Sequence, residues 1–128
     1  MYPDDFHYTK DHEWIQVKGD EATVGITDFA QSQMGDVVYV ELPKVGDELD
    51  AHQTFGVVES VKAVSDVFSP VAGKVTQVNE GLNDDPEVLN KDPHSKGWII
   101  KLKVKDKSEL EELMSASEYE KYLEGLEE

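Results

Sequence analysis

The 128-residue chain carries 28 acidic residues against 12 basic ones, all of them lysine, for a formal charge of −16. Such a surface repels a phosphate backbone, which argues against nucleic acid as a partner, and no apolar run approaches the ~20 residues that cross a bilayer. Cysteine is absent, which removes disulfides, thiolate nucleophiles and zinc–thiolate sites, so any thiol chemistry must come from a group added to the chain.

The length suits a single domain over residues 1–128, with a core over about 12–105 and a C-terminal helical segment over about 108–127. The first seven residues hold two aspartates and no apolar stretch, unlike a secretory signal, and the lack of arginine argues against a transit peptide. The expectation is a soluble cytoplasmic protein without membrane contact, or a mature chain whose presequence was removed. The acidity suits partners that present basic patches, or simply keeps a small protein monomeric; composition does not separate the two.

In chain order, residues 14–18 and 21–27 alternate apolar and polar around Gly19-Asp20, which predicts a hairpin. Thr27 or Asp28 can cap a short helix running to Met34 and ended by Gly35. Residues 37–42 are a branched strand that Pro43 stops, and Val45-Gly46-Asp47 is a turn. Residues 55–60 and 63–69 are two β-branched runs, most simply an antiparallel pair with Val61-Lys62 at its tip, although the Asn-Gly or Asp-Gly signal of a tight turn is missing. A strand over 73–78 follows, and residues 81–96 have the Asn, Asp, Pro and Gly content of a loop. Trp98, Ile100, Leu102 and Val104 alternate with polar positions as a half-buried strand. Two tandem capping boxes, Ser108 with Glu111 and Ser117 with Glu120, predict terminal helices with apolar positions at Leu110, Leu113, Met114, Tyr119, Tyr122, Leu123 and Leu126. Gly35 and Gly73 are each followed by valines two and five residues on, an echo that pseudo-symmetric sandwiches produce and chance also produces. Many short strands with turns between them indicate a mainly β sandwich with short helices.

The segment from Gly56 to Asp66 is the informative one. A lysine at the apex of a rigid hairpin suits post-translational attachment, because a modifying enzyme must reach its amine and the attached group must then swing free. A protonated amine is a poor nucleophile, so that enzyme must supply an activated acyl donor and accept the proton. Against this stands an ordinary surface lysine, and position alone favours the ordinary one.

The residues around it change that ranking. Glu59-Ser60-Val61-Lys62-Ala63 followed by Ser65-Asp66 resembles the lipoylation segment of glycine cleavage H proteins. The likeness covers nearly the whole chain: His12-Glu13-Trp14, Gly25-Ile26-Thr27, Gly35-Asp36-Val37-Val38 and Glu41-Leu42-Pro43 match upstream, and Ser69-Pro70, Gly73, Pro86, Leu89-Asn90, Pro93, Gly97-Trp98 and Tyr119-Glu120 match downstream, in family order and spacing. The resemblance implies a lipoyl/biotinyl-type β sandwich, a barrel-sandwich hybrid of short antiparallel strands with short helices.

It also implies a non-catalytic carrier in glycine catabolism and one-carbon metabolism, with lipoate attached covalently at Lys62. The carrier takes an aminomethyl intermediate from a pyridoxal-phosphate glycine decarboxylase (P protein) to a tetrahydrofolate-dependent aminomethyltransferase (T protein). It then takes the reduced dithiol to a flavin-dependent dihydrolipoyl dehydrogenase (L protein). Glu59 is implied as a recognition feature for the lipoylating enzyme, and Glu13 and Asp66 as contacts of the loaded arm, with solvated surface carboxylates as the alternative for both acids. Gln33 stands where some family members have a histidine. A lipoyl donor or relay serving other lipoate-dependent complexes is the alternative role within the family.

Rival readings leave specific traces. Biotinyl domains also present a lysine at a hairpin tip, typically between methionines, whereas Val61 and Ala63 flank Lys62 here. An unmodified interaction module predicts no special role for Lys62. An enzyme in its own right would need a nucleophile–base set, metal ligands or a phosphate loop, and none is legible. The histidines at 7, 12, 52 and 94 lack metal-ligand spacing, and Asn83-Asp84-Asp85 with Glu87 lacks the glycine and spacing of a calcium loop. Trp14 and Trp98 are expected in core or edge packing.

Overall fold

The computed structural model describes residues 2–127; Met1 and Glu128, the ends of the expected domain, lie outside the described residues. The strands, in chain order, are β1 (His7–Tyr8), β2 (Glu13–Lys18), β3 (Glu21–Ile26), β4 (Val37–Glu41), β5 (Glu48–Leu49), β6 (Thr54–Ser60), β7 (Val64–Phe68), β8 (Gly73–Val78) and β9 (Ile100–Val104). Among the described residues they form two antiparallel sheets, six-stranded in the order β1-β2-β3-β9-β8-β5 and three-stranded in the order β4-β6-β7. The helices are α1 (Asp28–Met34), the single turns α2 (Gly81–Asp84) and α3 (Val88–Lys91), a 3-10 helix (Lys107–Glu112) and α4 (Ala116–Glu127). The mainly β sandwich of the sequence reading is the fold found, with β1 and β5 too short to leave a period-two signature.

Register shows why alternation in sequence becomes two faces. Ala22 pairs with Leu102 and Leu102 with Val75, a row fully buried between the sheets. The neighbouring row, Glu21–Lys103–Lys74–Glu48, is exposed. Val40, Val58 and Val67 of the smaller sheet meet the larger sheet's residues in one aliphatic core. Each such side chain contributes roughly 1.5–3 kcal/mol by leaving water.

A second cluster is aromatic and joins distant parts of the chain. Phe6, Tyr8, Trp14, Tyr119 and Leu123 are buried together, with Tyr8 and Tyr119 stacked at 4.8 Å and 6° and Phe6 stacked on Trp14 at 4.5 Å. Trp14 lies across Gly25, its β3 partner, where a Cβ would meet the indole at 2.8 Å, and its Nε1–H donates to the Pro93 carbonyl at 2.9 Å. Trp98 precedes its strand rather than opening it, half-buried beneath Lys101, whose Nζ sits 5.3 Å from the ring centre.

Three local expectations are corrected. Residues 81–96 are not all loop: α2 and α3 each bury one leucine, Leu82 and Leu89, and single turns are too short to show helical periodicity. The first capping box does not form; the Asp106 carboxylate accepts the Ser108 N–H at 3.0 Å and opens a 3-10 rather than an α turn. The second box lies two residues earlier than expected. The Ser115 N–H donates to Glu118 at 2.9 Å, and the Glu118 N–H donates to Ser115 Oγ at 3.3 Å. Starting there puts Ala116, Tyr119 and Leu123 on one face against the aromatic cluster, whereas Leu126 stays exposed. No helix among the described residues is long and apolar enough to cross a membrane.

Candidate functional site

β6 and β7 pair up to Glu59 opposite Val64, which leaves residues 60–63 as the hairpin tip. One serine closes it. The Ser60 N–H donates to the Ala63 carbonyl at 2.8 Å, and Ser60 Oγ accepts the Ala63 N–H at 3.0 Å and the Lys62 N–H at 3.3 Å. The hydroxyl thus does locally what an Asn-Gly turn does by backbone conformation. Lys62 is exposed at this tip, with Val61 and Val64 among the most exposed large apolar side chains of the molecule. Glu59, half-buried on the middle strand, stands in register between Tyr39 of β4 and Val64.

The tip rests on a platform. The Val61 N–H donates to the Asp36 carbonyl at 3.0 Å, and Asn90 of α3 holds that segment on either side. Its Oδ1 accepts the Val37 N–H at 2.9 Å, and its Nδ2 donates to the Gly35 carbonyl at 2.8 Å and to Gln31 Oε1 at 3.0 Å. Gly35 ends α1 with φ +78°, and a Cβ there would lie 3.4 Å from Lys62 Cε, so the lysine stem passes close to the end of that helix.

α1 is also one wall of a groove of about 290 Å³ between the two sheets. Ile26, Met34, Val58 and Val67 give it an apolar lining, and Asp11, Glu13 and Asp66 supply acid. Gln33 lines it as well, in the place where the resemblance anticipates a histidine in some members. Lys62 is outside the lining, joined to it through Gly35 and α1.

Glu13 is 2 % exposed and therefore not a solvated surface carboxylate. Thr9 Oγ1 donates to its Oε1 at 2.7 Å, and the Phe68 N–H, at the end of β7, donates to its Oε2 at 3.1 Å, so the side chain ties the large sheet to the small one. Burial pushes its pKa up to about 7; the Thr9 and Phe68 hydrogen bonds pull it down, and nearby Asp11 adds a smaller push upward. Asp66 is exposed at the rim on β7, opposite Val57. The structure therefore brings Glu13, Asp66 and Gln33 to one groove and places Lys62 and Glu59 on the adjacent hairpin.

Sequence reading passed over the groups that hold this arrangement. His12, read as a family match and as lacking metal-ligand spacing but given no role, lines the groove with φ +69°, and its ring packs 4.6 Å from Phe29. Asn90 and Ser60 were legible as family matches but not as hydrogen-bond hubs. Asn83, Asp84, Asp85 and Glu87 are exposed on and beyond α2, and among the described residues no group of three or more His, Asp or Glu is placed to hold a metal ion.

Comparisons with known proteins bear on the family and the fold. The family model for the glycine cleavage H-protein matches residues 6–126. The chain is 54 % identical over 125 residues to the glycine cleavage system H protein of Halothermothrix orenii, covering 98 % of each. It is 56 % identical over 122 residues to the probable glycine cleavage system H protein of Haloarcula marismortui, covering 95 % of this chain and 96 % of that one. A crystal structure of a glycine cleavage system H protein from Mycobacterium marinum superposes with a TM-score of 0.81 at 39 % identity, covering 92 % of this chain and 95 % of the other. The chain belongs to the glycine cleavage H-protein family.

Proposed function

We propose that this chain is the lipoyl-bearing shuttle of a glycine cleavage system, acting as one carrier domain with its lipoate joined to Lys62 through an amide bond. The observation that carries the reading is the placement of an exposed hairpin-tip lysine next to a groove that combines apolar walls with carboxylates. When bound, lipoate supplies a disulfide that accepts an aminomethyl cargo and is afterwards restored by oxidation. The residues present fit such a group. Ile26, Met34, Val58 and Val67 offer apolar surface to a hydrocarbon arm, while Glu13 and Asp66 offer negative charge to the amine at its end.

The chain's own residues then have distinct tasks. Lys62 provides the amine for attachment, and acylation removes its charge. Ser60 and Asp36 hold the tip stiff, so that a lipoylating enzyme meets a preformed hairpin; Glu59, between Tyr39 and Val64, is the recognition feature. The groove shelters the loaded arm from water between partners, and a cation there favours the ionised form of Glu13 against the effect of burial. Tethering raises the local concentration of the arm at each docked active site. Catalysis stays with the glycine decarboxylase, the aminomethyltransferase and the dihydrolipoyl dehydrogenase. Made in cells supplied with lipoate, the protein is expected to gain the mass of one lipoyl group and Lys62→Arg to gain none, with loss of glycine-dependent turnover in the reconstituted system. An unmodified wild-type mass beside a competent lipoylating enzyme would overturn the reading.

A further inference from the structure

The C-terminal helix reaches the groove wall at His12, whose ring lies beside both Tyr119 and Tyr122, at 5.9 and 6.1 Å between ring centres, and it is the Tyr119 hydroxyl that is hydrogen-bonded to the imidazole. Tyr119 of α4 stacks on Tyr8 and packs against Tyr2 in the aromatic cluster, contacts a phenylalanine could make equally well. Its hydroxyl lies 2.8 Å from Nδ1 of His12 and 2.7 Å from Oγ1 of Thr27. His12 immediately precedes Glu13 and lines the groove; Thr27 is the N-cap of α1, its Oγ1 accepting the Ala30 N–H at 3.2 Å, and α1 forms the groove wall beside His12. A backbone bond, the Thr27 N–H to the His12 carbonyl at 3.0 Å, already ties the two main chains, and ring packing does not choose which imidazole nitrogen carries the proton, so that choice falls to the Tyr119 hydroxyl.

We propose that Tyr119 is a positioning residue of the arm site, its hydroxyl fixing the orientation and tautomer of the His12 ring in the groove wall. The proposal rests on the carrier reading above. With Thr27 already accepting from Ala30, the better-satisfied arrangement has Thr27 donating to Tyr119 and Tyr119 donating to the imidazole, the stronger acceptor. His12 is then neutral, with its proton on Nε2, which keeps positive charge out of a groove suited to a cationic amine. Burial of the ring acts in the same direction, lowering the His12 pKa.

The test uses lipoylated wild type, Tyr119→Phe and Tyr122→Phe, the last a control that removes a hydroxyl from the other α4 ring beside His12 while keeping its packing, with intact mass establishing equal lipoylation. Each is loaded with glycine and glycine decarboxylase, the enzyme is removed, and spontaneous ammonia release is followed in buffer and in urea. Tyr119→Phe is expected to release its cargo about five-fold faster, the order of one net hydrogen bond, with the His12 ring nitrogens shifted in the ¹⁵N NMR spectrum and Tyr122→Phe behaving as wild type. Release and His12 signals unchanged in Tyr119→Phe would overturn the proposal, as would a protonated Nδ1 in the wild type, a measurement that needs no variant. Wild type that loses its cargo as quickly folded as in urea would instead overturn the sheltering groove itself.

Discussion

Lys62 and Glu13 sit at opposite extremes of solvation within one candidate site. The lysine belongs to an exposed stretch, residues 61–66, that is stiffened by one serine hydroxyl and a backbone bond to Asp36. The glutamate is 2 % exposed, with both oxygens hydrogen-bonded, and burial works against its charge. The tip places an amine in water at little energetic cost and asks only for shape. The groove floor holds a carboxylate where its ionised form is disfavoured, a cost that a cation entering the groove would offset. A carrier needs this asymmetry, since one end must be reached by enzymes and the other must attract a charged cargo out of water.

Neutralising the floor should have the largest effect. Because the folded pKa of Glu13 is pushed up to about 7 from an ordinary 4.5, the folded state holds its proton longer than the unfolded chain does. Its contribution is therefore fully present below about pH 4.5 and is lost as pH rises through about 7, a swing of about 3 kcal/mol. Glu13→Gln keeps an acceptor for the Phe68 N–H and cannot ionise. Relative to wild type it should gain about 3 kcal/mol between pH 4.5 and 7.5 in urea unfolding. Parallel stability curves for the two proteins would mean that Glu13 is not held protonated by its surroundings.

The platform between tip and floor should come next. Asn90→Ala orphans the Val37 N–H and the Gly35 carbonyl together and should cost about 2 kcal/mol by the urea midpoint. Lipoylation at Lys62 should slow, because the Asp36 carbonyl under Val61 loses its anchor. Asn83→Ala, on exposed α2, should change neither. Asn90 also marks the limit of what sequence could show. The hairpin of β2 and β3, the Thr27 cap, the β6–β7 pair and the alternation of β9 were readable because each is a local pattern with a period or a cap. α3 was not, since one turn has no period, and its worth lies in contacts with residues 53 to 59 positions away. The same holds for the groove. Glu13 and Asp66 were named through family resemblance, but nothing local reveals that one is buried and the other at the rim, because the burial of Glu13 depends on β7, which is distant in sequence and carries Asp66 at its exposed edge.

The smallest expected effect lies at the tip and bears on why a turn without Asn-Gly forms there at all. If Ser60 Oγ closes the turn, Ser60→Ala removes the acceptor for two amides that water can reach, so the loss in global stability should stay below about 1 kcal/mol. The local consequence should be larger than the global one. Hydrogen exchange at the Lys62 and Ala63 amides should accelerate while that of Val58, in the buried body of β6, is unchanged, and lipoylation should slow a few-fold because the enzyme must then order the tip itself. Equal exchange at Lys62 and Ala63 in the two proteins would assign the stiffness of the tip to the Asp36 bond and the strand pairing instead. The test thus separates the one feature of the tip written in its own four residues from the support that the rest of the fold lends it.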